Sequence, residues 1–139
     1  MDATSELTRR VLESFRTIAV VGLSRDVTKA AHSVPAAMQG YGWRVIPVNP
    51  YADTLLGERC YPTLLDVPEP VEVVNVFRPA RDAAEIARRA VAIGAQVLWL
   101  QLGITSPEAR EIATDNGLIY VEDRCIAVER ARHALRKAA

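Results

Sequence analysis

Between Thr17 and Pro50 the chain carries two short apolar runs, separated by a polar loop and an amphipathic segment, and that order leaves few ways to fold. Thr17-Ile18-Ala19-Val20-Val21-Gly22 is rich in β-branched residues and ends on glycine, the pattern of a buried parallel strand entering a tight turn. Leu23 to Ser33 is polar, and Val34 to Tyr41 has the spacing of a helix. Ser33 reads as the cap of that helix, with Pro35 in its first turn. A second buried strand follows in Trp43-Arg44-Val45-Ile46-Pro47-Val48-Asn49-Pro50. The whole is a βαβ unit whose first crossing aims helix amides at the loop, a ready site for an anion.

The remaining elements repeat the alternation. Val71–Phe77, Gln96–Leu102 and Leu118–Val121 are further apolar strands. Helices are predicted over Arg81–Ile93, from Ser106 as cap to Asn116, and over Ile126–Lys137. Asn49 to Pro62 has two prolines, Gly57 and no periodicity, and is read as a loop. Strands that are continuously apolar call for a parallel sheet covered on both faces. The expected fold is therefore α/β: a single Rossmann-like, doubly wound, parallel five-stranded sheet of order 3-2-1-4-5, with helices on both faces. Residues 1–16 are expected to add an accessory helix, Ala3 to Phe15 with Thr4 or Ser5 as cap, and residues 17–139 to form the domain itself. At 139 residues there is room for one core.

Charge narrows the function. The 17 basic and 17 acidic side chains cancel, so the field a nucleic-acid binder needs is missing, and an anion must be held by local geometry. Cys60 and Cys125 are too far apart in sequence to suggest a disulfide framework or a zinc site. Met1 to Thr8 is too polar for a signal peptide and no apolar run is long enough to span a bilayer, so the expected location is the cytoplasm and no membrane partner is expected.

Ligands of doubly wound sheets lie outside the carboxyl ends of the strands where the winding reverses. The candidate binding residues are therefore Gly22, Ser24, Arg25, Lys29 and Ser33 around the first loop, Asn49 and Pro50 after the second strand, Phe77 and Arg78 after the third, and Gln101 and Gly103 after the fourth. Gly22 lets backbone approach a ligand, the serines offer donors, and the cations suit phosphate. The loop is not the dinucleotide fingerprint, because Ser24 stands where a second glycine belongs. The second strand ends without the carboxylate that grips a ribose, since Asp53 lies further into the loop. NAD is disfavoured. Phe77 or the Arg78 guanidinium can lie against a base, and for Phe77 the sequence leaves a core position equally open. His32 lacks a partner acid at useful spacing, so no catalytic residue is assigned.

Several segments together resemble the small stand-alone CoA-binding proteins, whose domain is similar to that of the succinyl-CoA synthetase α subunit. They are Gly22-Leu23-Ser24-Arg25, Arg44 to Pro50, Gly57-Glu58-Arg59-Cys60-Tyr61-Pro62, Trp99-Leu100-Gln101-Leu102-Gly103-Ile104 and Asp123-Arg124-Cys125. The resemblance covers Thr17 to Ala131. It implies coenzyme A as cofactor, with CoA or an acyl-CoA lying over the first loop and no ligase chemistry, since the synthetase carries its phosphorylated histidine in a second domain. CoA has a pyrophosphate and a ribose phosphate, which fits cations without a ribose-binding acid. Two other readings stand beside it: an NADP-dependent oxidoreductase-like domain, and an interaction subunit with a vestigial pocket. A homodimer or a protein partner is compatible with any of the three. Cys125, after the fifth strand and beside Arg124, is either a structural cysteine or a thiol within reach of the CoA arm.

Overall fold

The computed structural model describes residues 2–138. Met1 and Ala139, the outer ends of the two expected segments, lie outside the described residues. In chain order the elements are α1 (Ala3–Ser14), β1 (Thr17–Val21), α2 (Ala30–Gly40), β2 (Arg44–Val48), β3 (Thr54–Leu55), β4 (Glu58–Arg59), a 3₁₀ turn (Leu64–Asp66), β5 (Val73–Val76), α3 (Ala80–Ala92), β6 (Val97–Leu100), α4 (Pro107–Asp115), β7 (Ile119–Val121) and α5 (Ile126–Arg132). Five of the strands form one parallel sheet, in the order β2-β1-β5-β6-β7.

The α/β class, the five parallel strands and the two helical layers are those expected. Counted in chain order within the sheet, however, the strands run 2-1-3-4-5. The third strand, β5, lies against β1, with Val20 opposite Asn75, instead of outside β2. Pro47 supplies the physical reason. It has no N–H to give to a ladder, and within sheets proline is confined to edges. Its carbonyl points outward and accepts from Tyr61 N at 3.1 Å, so the missing donor faces that same outer side. A strand placed there would have met a gap, so β2 stays at the edge. Cys60–Tyr61 and the β3–β4 hairpin cover it, with Asn49 N donating to Tyr61 O at 2.9 Å. That hairpin, turned through Leu56 and Gly57 at positive φ, lies in the stretch expected to be loop. Strands of two residues are too short to show a period.

One face of the sheet is packed by α3, α4 and the 3₁₀ turn, around Val74, Leu98 and Leu100. On α3, Ala83, Ala87 and Ala90 are fully covered, and their small side chains bring the helix close to the strands. The other face is packed by α1, α2 and α5 around Ile18, Val20 and Trp99. Truncating a residue such as Leu98, with no exposed surface, would cost about 2–5 kcal/mol.

Three local expectations change. The cap of α1 is Asp2, whose Oδ1 accepts from Ser5 N at 2.7 Å, rather than Thr4 or Ser5. α2 starts three residues before Ser33, so Ser33 is an exposed residue within the helix and no side chain caps it. α5 ends at Arg132 instead of running on to Lys137, and the chain beyond it folds back so that Lys137 N donates to Tyr41 O at 2.9 Å. No described helix is long and apolar enough to cross a membrane.

Candidate functional site

With β5 beside β1, the winding reverses between those two strands, and the crevice opens where Gly22 faces Phe77 and Arg78. Gly22 has φ +91°, and a Cβ built on it would sit 2.8 Å from the Phe77 carbonyl oxygen and 3.1 Å from Arg78 Cδ. Only glycine lets the two strand ends come together here.

The loop after Gly22 is clamped by α2. Pro35, inside that helix, cannot bond to the carbonyl four residues earlier, that of Ala31. Ser24 N donates to that freed carbonyl at 3.0 Å. Ser24 O accepts from His32 Nδ1 at 2.7 Å, which fixes the proton on that nitrogen because a carbonyl can only accept. Ser24 Oγ accepts from Asp26 N, and Asp26 Oδ1 accepts from the Thr28 amide and hydroxyl. The Thr28 bonds hold the Asp26 carboxyl below the usual carboxylate range. Ser24 is thus a structural hub that keeps only its hydroxyl hydrogen for a ligand. The amides of Leu23, Arg25 and Val27 find no acceptor among the described residues.

From this loop a groove of about 1060 Å³ runs between α3 and the segment after β2. It brings together eight of the eleven residues singled out from sequence: Gly22, Ser24, Arg25, Lys29, Asn49, Pro50, Phe77 and Arg78. Val48, Pro62 and Ile86 give it apolar walls. Its rim carries five cations, Arg25, Lys29, Arg78, Arg81 and Arg89, against the carboxylates of Asp26, Asp82 and Glu85. The carboxylates are all engaged: Asp26 by Thr28, Asp82 by Arg78 at 2.9 Å, and Glu85 by Arg88 and Arg89. Arg25, Lys29 and Arg81 form no ion pair among the described residues.

The other three candidates do not meet there. Ser33 is on the outside of α2. Gln101 and Gly103 follow β6, which β5 separates from β1, so the change in strand order removes them from the groove. Gln101 is buried, and its Oε1 accepts from Asn75 Nδ2 at 3.3 Å and Ile126 N at 3.2 Å. Gly103 N donates to Asp123 Oδ1 at 2.7 Å. The Ile126 and Gly103 bonds tie the end of β6 to the chain that follows β7, and the Asn75 bond ties it to β5. Cys125 is the half-buried residue preceding α5 and does not line the groove. Cys60 is buried under the hairpin, which pushes its thiol pKa up.

Other candidates behave differently from their sequence reading. Asn49 spends its amide on the protein: Nδ2 donates to Leu23 O at 2.9 Å and Oδ1 accepts from Tyr51 N at 2.7 Å. Phe77 both lines the groove and packs on the core of the α2 face. Tyr51 and Arg81 were not foreseen. The signal for Arg81 was its place in the first turn of the helix that leaves the switch point.

Residues 16–131 match the family described as CoA binding domain. YneT of Bacillus subtilis is 35% identical over 123 residues, which cover 88% of this chain and 91% of that protein. A protein from Pyrococcus horikoshii superposes with a TM-score of 0.89 at 36% identity, over 93% of this chain and 91% of its own. The ADP-forming acetate–CoA ligase II of Archaeoglobus fulgidus is 34% identical over 73 residues, 51% of this chain and 11% of the ligase.

Proposed function

Since the chain belongs to the CoA binding domain family, we propose that it binds coenzyme A or an acyl-CoA in the groove between the Gly22 loop and α3, as a carrier, sensor or regulatory subunit without chemistry of its own. The single observation that carries this reading is the set of three unpaired cations, Arg25, Lys29 and Arg81, around a groove whose acids are all engaged. Such a rim favours a polyanion. The pyrophosphate meets the free amides of Leu23 and Arg25 and the Ser24 hydroxyl, as anions do at a loop that leads into a helix. The ribose phosphate of CoA supplies the remaining negative charge for the cations. β2 ends in Val48-Asn49-Pro50, and Asp53 does not line the groove, so a ribose with two free hydroxyls gains no carboxylate.

Calorimetric titration with CoA, dephospho-CoA, NAD and NADP tests the proposal. CoA is expected to bind most tightly and dephospho-CoA more weakly, because it lacks one phosphate. Tighter binding of NAD than of CoA would overturn it.

A further inference from the structure

We propose that Tyr51 is the lip on which the purine base of the ligand stacks, and that Asn49 is the positioning residue that sets this lip over the phosphate loop. The inference rests on the CoA reading above and deepens it, from a family ligand to the residue that recognises its base.

Of the four tyrosines, three are already covered by guanidinium groups. Arg130 lies 3.5 Å from the Tyr41 ring centroid, and Arg59 and Arg110 each lie 5.4 Å from those of Tyr61 and Tyr120. Tyr51 has no such partner, its hydroxyl makes no hydrogen bond among the described residues, and it is 81% exposed. An unsupported ring of this kind is usually on a mobile loop. Here the backbone beneath it is fixed. Tyr51 N is held by Asn49 Oδ1, Asn49 N by Tyr61 O, and Asn49 Nδ2 reaches across to Leu23 O. That last bond joins the segment bearing the ring to the loop that offers free amides. The Asn49 side chain thus adds to the Gly22 N–Val48 O bond at 3.0 Å in fixing the distance between an anion on the loop and a base under the ring.

Tyr51 also lines a groove with apolar walls, Val48, Pro62 and Ile86, whose other lining residues include Arg81 and Arg89 of α3. A flat base with an anionic tail matches this arrangement. It buries one face on the tyrosine and places its phosphates on the loop, and every base offers such a face.

The test compares wild-type protein, Tyr51→Ala and Tyr51→Phe against three ligands: CoA, ADP, and 4′-phosphopantetheine, which lacks the base. Tyr51→Ala is expected to weaken CoA and ADP by about ten-fold or more and to leave 4′-phosphopantetheine unaffected. Tyr51→Phe keeps the ring and recovers most of the loss. The fall in adenine absorbance that accompanies stacking should appear with wild type and Phe and be absent with Ala. Equal CoA affinity in wild type and Tyr51→Ala, or equal losses for all three ligands, would overturn the proposal. Wild-type protein that ignores CoA but binds ADP with the same dependence on Tyr51 would remove the CoA reading and keep the stacking lip. Binding of neither would remove both.

Discussion

The two ends of the sheet are built alike and finished differently. At the carboxyl end, Gly22 at φ +91° lets the Phe77 carbonyl come to where a Cβ would be, and at the amino end Gly42 at φ +104° does the same for the Lys137 carbonyl. Each glycine admits a crossing piece of backbone. At the amino end, most nearby charges are then satisfied. Arg44 is paired with Glu58 and Glu69, Lys137 Nζ donates to Glu13 O at 2.7 Å, and Arg16 donates to Ala138 O at 3.0 Å. A cleft of about 240 Å³ lies there. At the carboxyl end, a groove more than four times that volume is left open, with Arg25, Lys29 and Arg81 in no ion pair among the described residues. Cations held by carboxylates or backbone carbonyls at one end, and left without such bonds at the other, are the contrast behind our proposal that an anion binds at the carboxyl end.

The largest effect is expected at Gly22. Gly22→Ala must hold a side chain at positive φ and push against backbone at the end of β5, which is pinned between two strands. The left-handed strain and the overpacking together cost about 2–4 kcal/mol. The denaturant midpoint should fall, and the heat of CoA titration should disappear with the displaced loop. A variant that kept both would show that the crevice is not where this close contact puts it.

Next come the unpaired cations. Lys29→Ala and Arg81→Ala should each weaken CoA by about ten-fold, the usual loss when a charge-assisted hydrogen bond is removed. Neither side chain forms an ion pair among the described residues, so the melting temperature of the free protein should not move. Both are exposed, so the effect should shrink as salt rises. Arg78→Ala is a poorer probe, because Arg78 also packs on Gly22 and pairs with Asp82. Unchanged affinity in both clean variants would leave the backbone amides as the holding groups.

How far this contrast was legible in the sequence depends on range. The βαβ unit, the glycine, Arg25, Lys29 and the missing carboxylate after β2 are local, and periodicity and composition reveal them. Strand order is not local, yet Pro47 carried it: a strand that cannot donate outward must be an edge. Reading the order without that proline is what drew Gln101 and Gly103 toward the site. The Ser24 clamp was hidden for another reason. α2 begins at Ala30 with no capping side chain, so Ser33, a cap-type residue just before Pro35, pulls the predicted start too far along. With the helix misplaced, Pro35 looked like a first-turn residue rather than the one that frees the Ala31 carbonyl. Tyr51 gave no signal at all, because a tyrosine in a loop is informative only once its neighbours prove rigid.

Gly42→Ala tests the other half of the comparison and should be milder than Gly22→Ala. The built Cβ is closer to backbone here, 2.5 Å from Lys137 O, but the obstructing segment is irregular chain after α5 rather than a strand held between two others. What remains is the conformational strain, about 1–2 kcal/mol, with the loss of the Lys137–Tyr41 bond. The melting temperature should fall by a few degrees while CoA affinity stays that of wild type. Impaired binding would mean that the two ends are coupled through the sheet, and the contrast between them would fail.

The smallest effect concerns the charges paired at the amino end. Arg44 holds Glu69 through a hydrogen bond at 2.9 Å, and this lowers the Glu69 pKa from its ordinary value of 4.5. A carboxyl with a depressed folded-state pKa adds stability above its unfolded value, and that stability is lost as pH falls through the folded one. Both side chains are more than a third exposed, so water screens the pair and its contribution stays under about 1 kcal/mol. Arg44→Ala should therefore be slightly less stable than wild type at neutral pH. The gap should close as pH falls below 4.5, and salt should narrow it further. CoA affinity should be untouched, since Arg44 is at the end away from the groove. Urea melts of the two proteins from neutral to acid pH provide the comparison. A gap that persists undiminished well below the ordinary glutamate range would mean that Arg44 acts through packing of its stem, and the amino end would then owe its stability to shape rather than to charge.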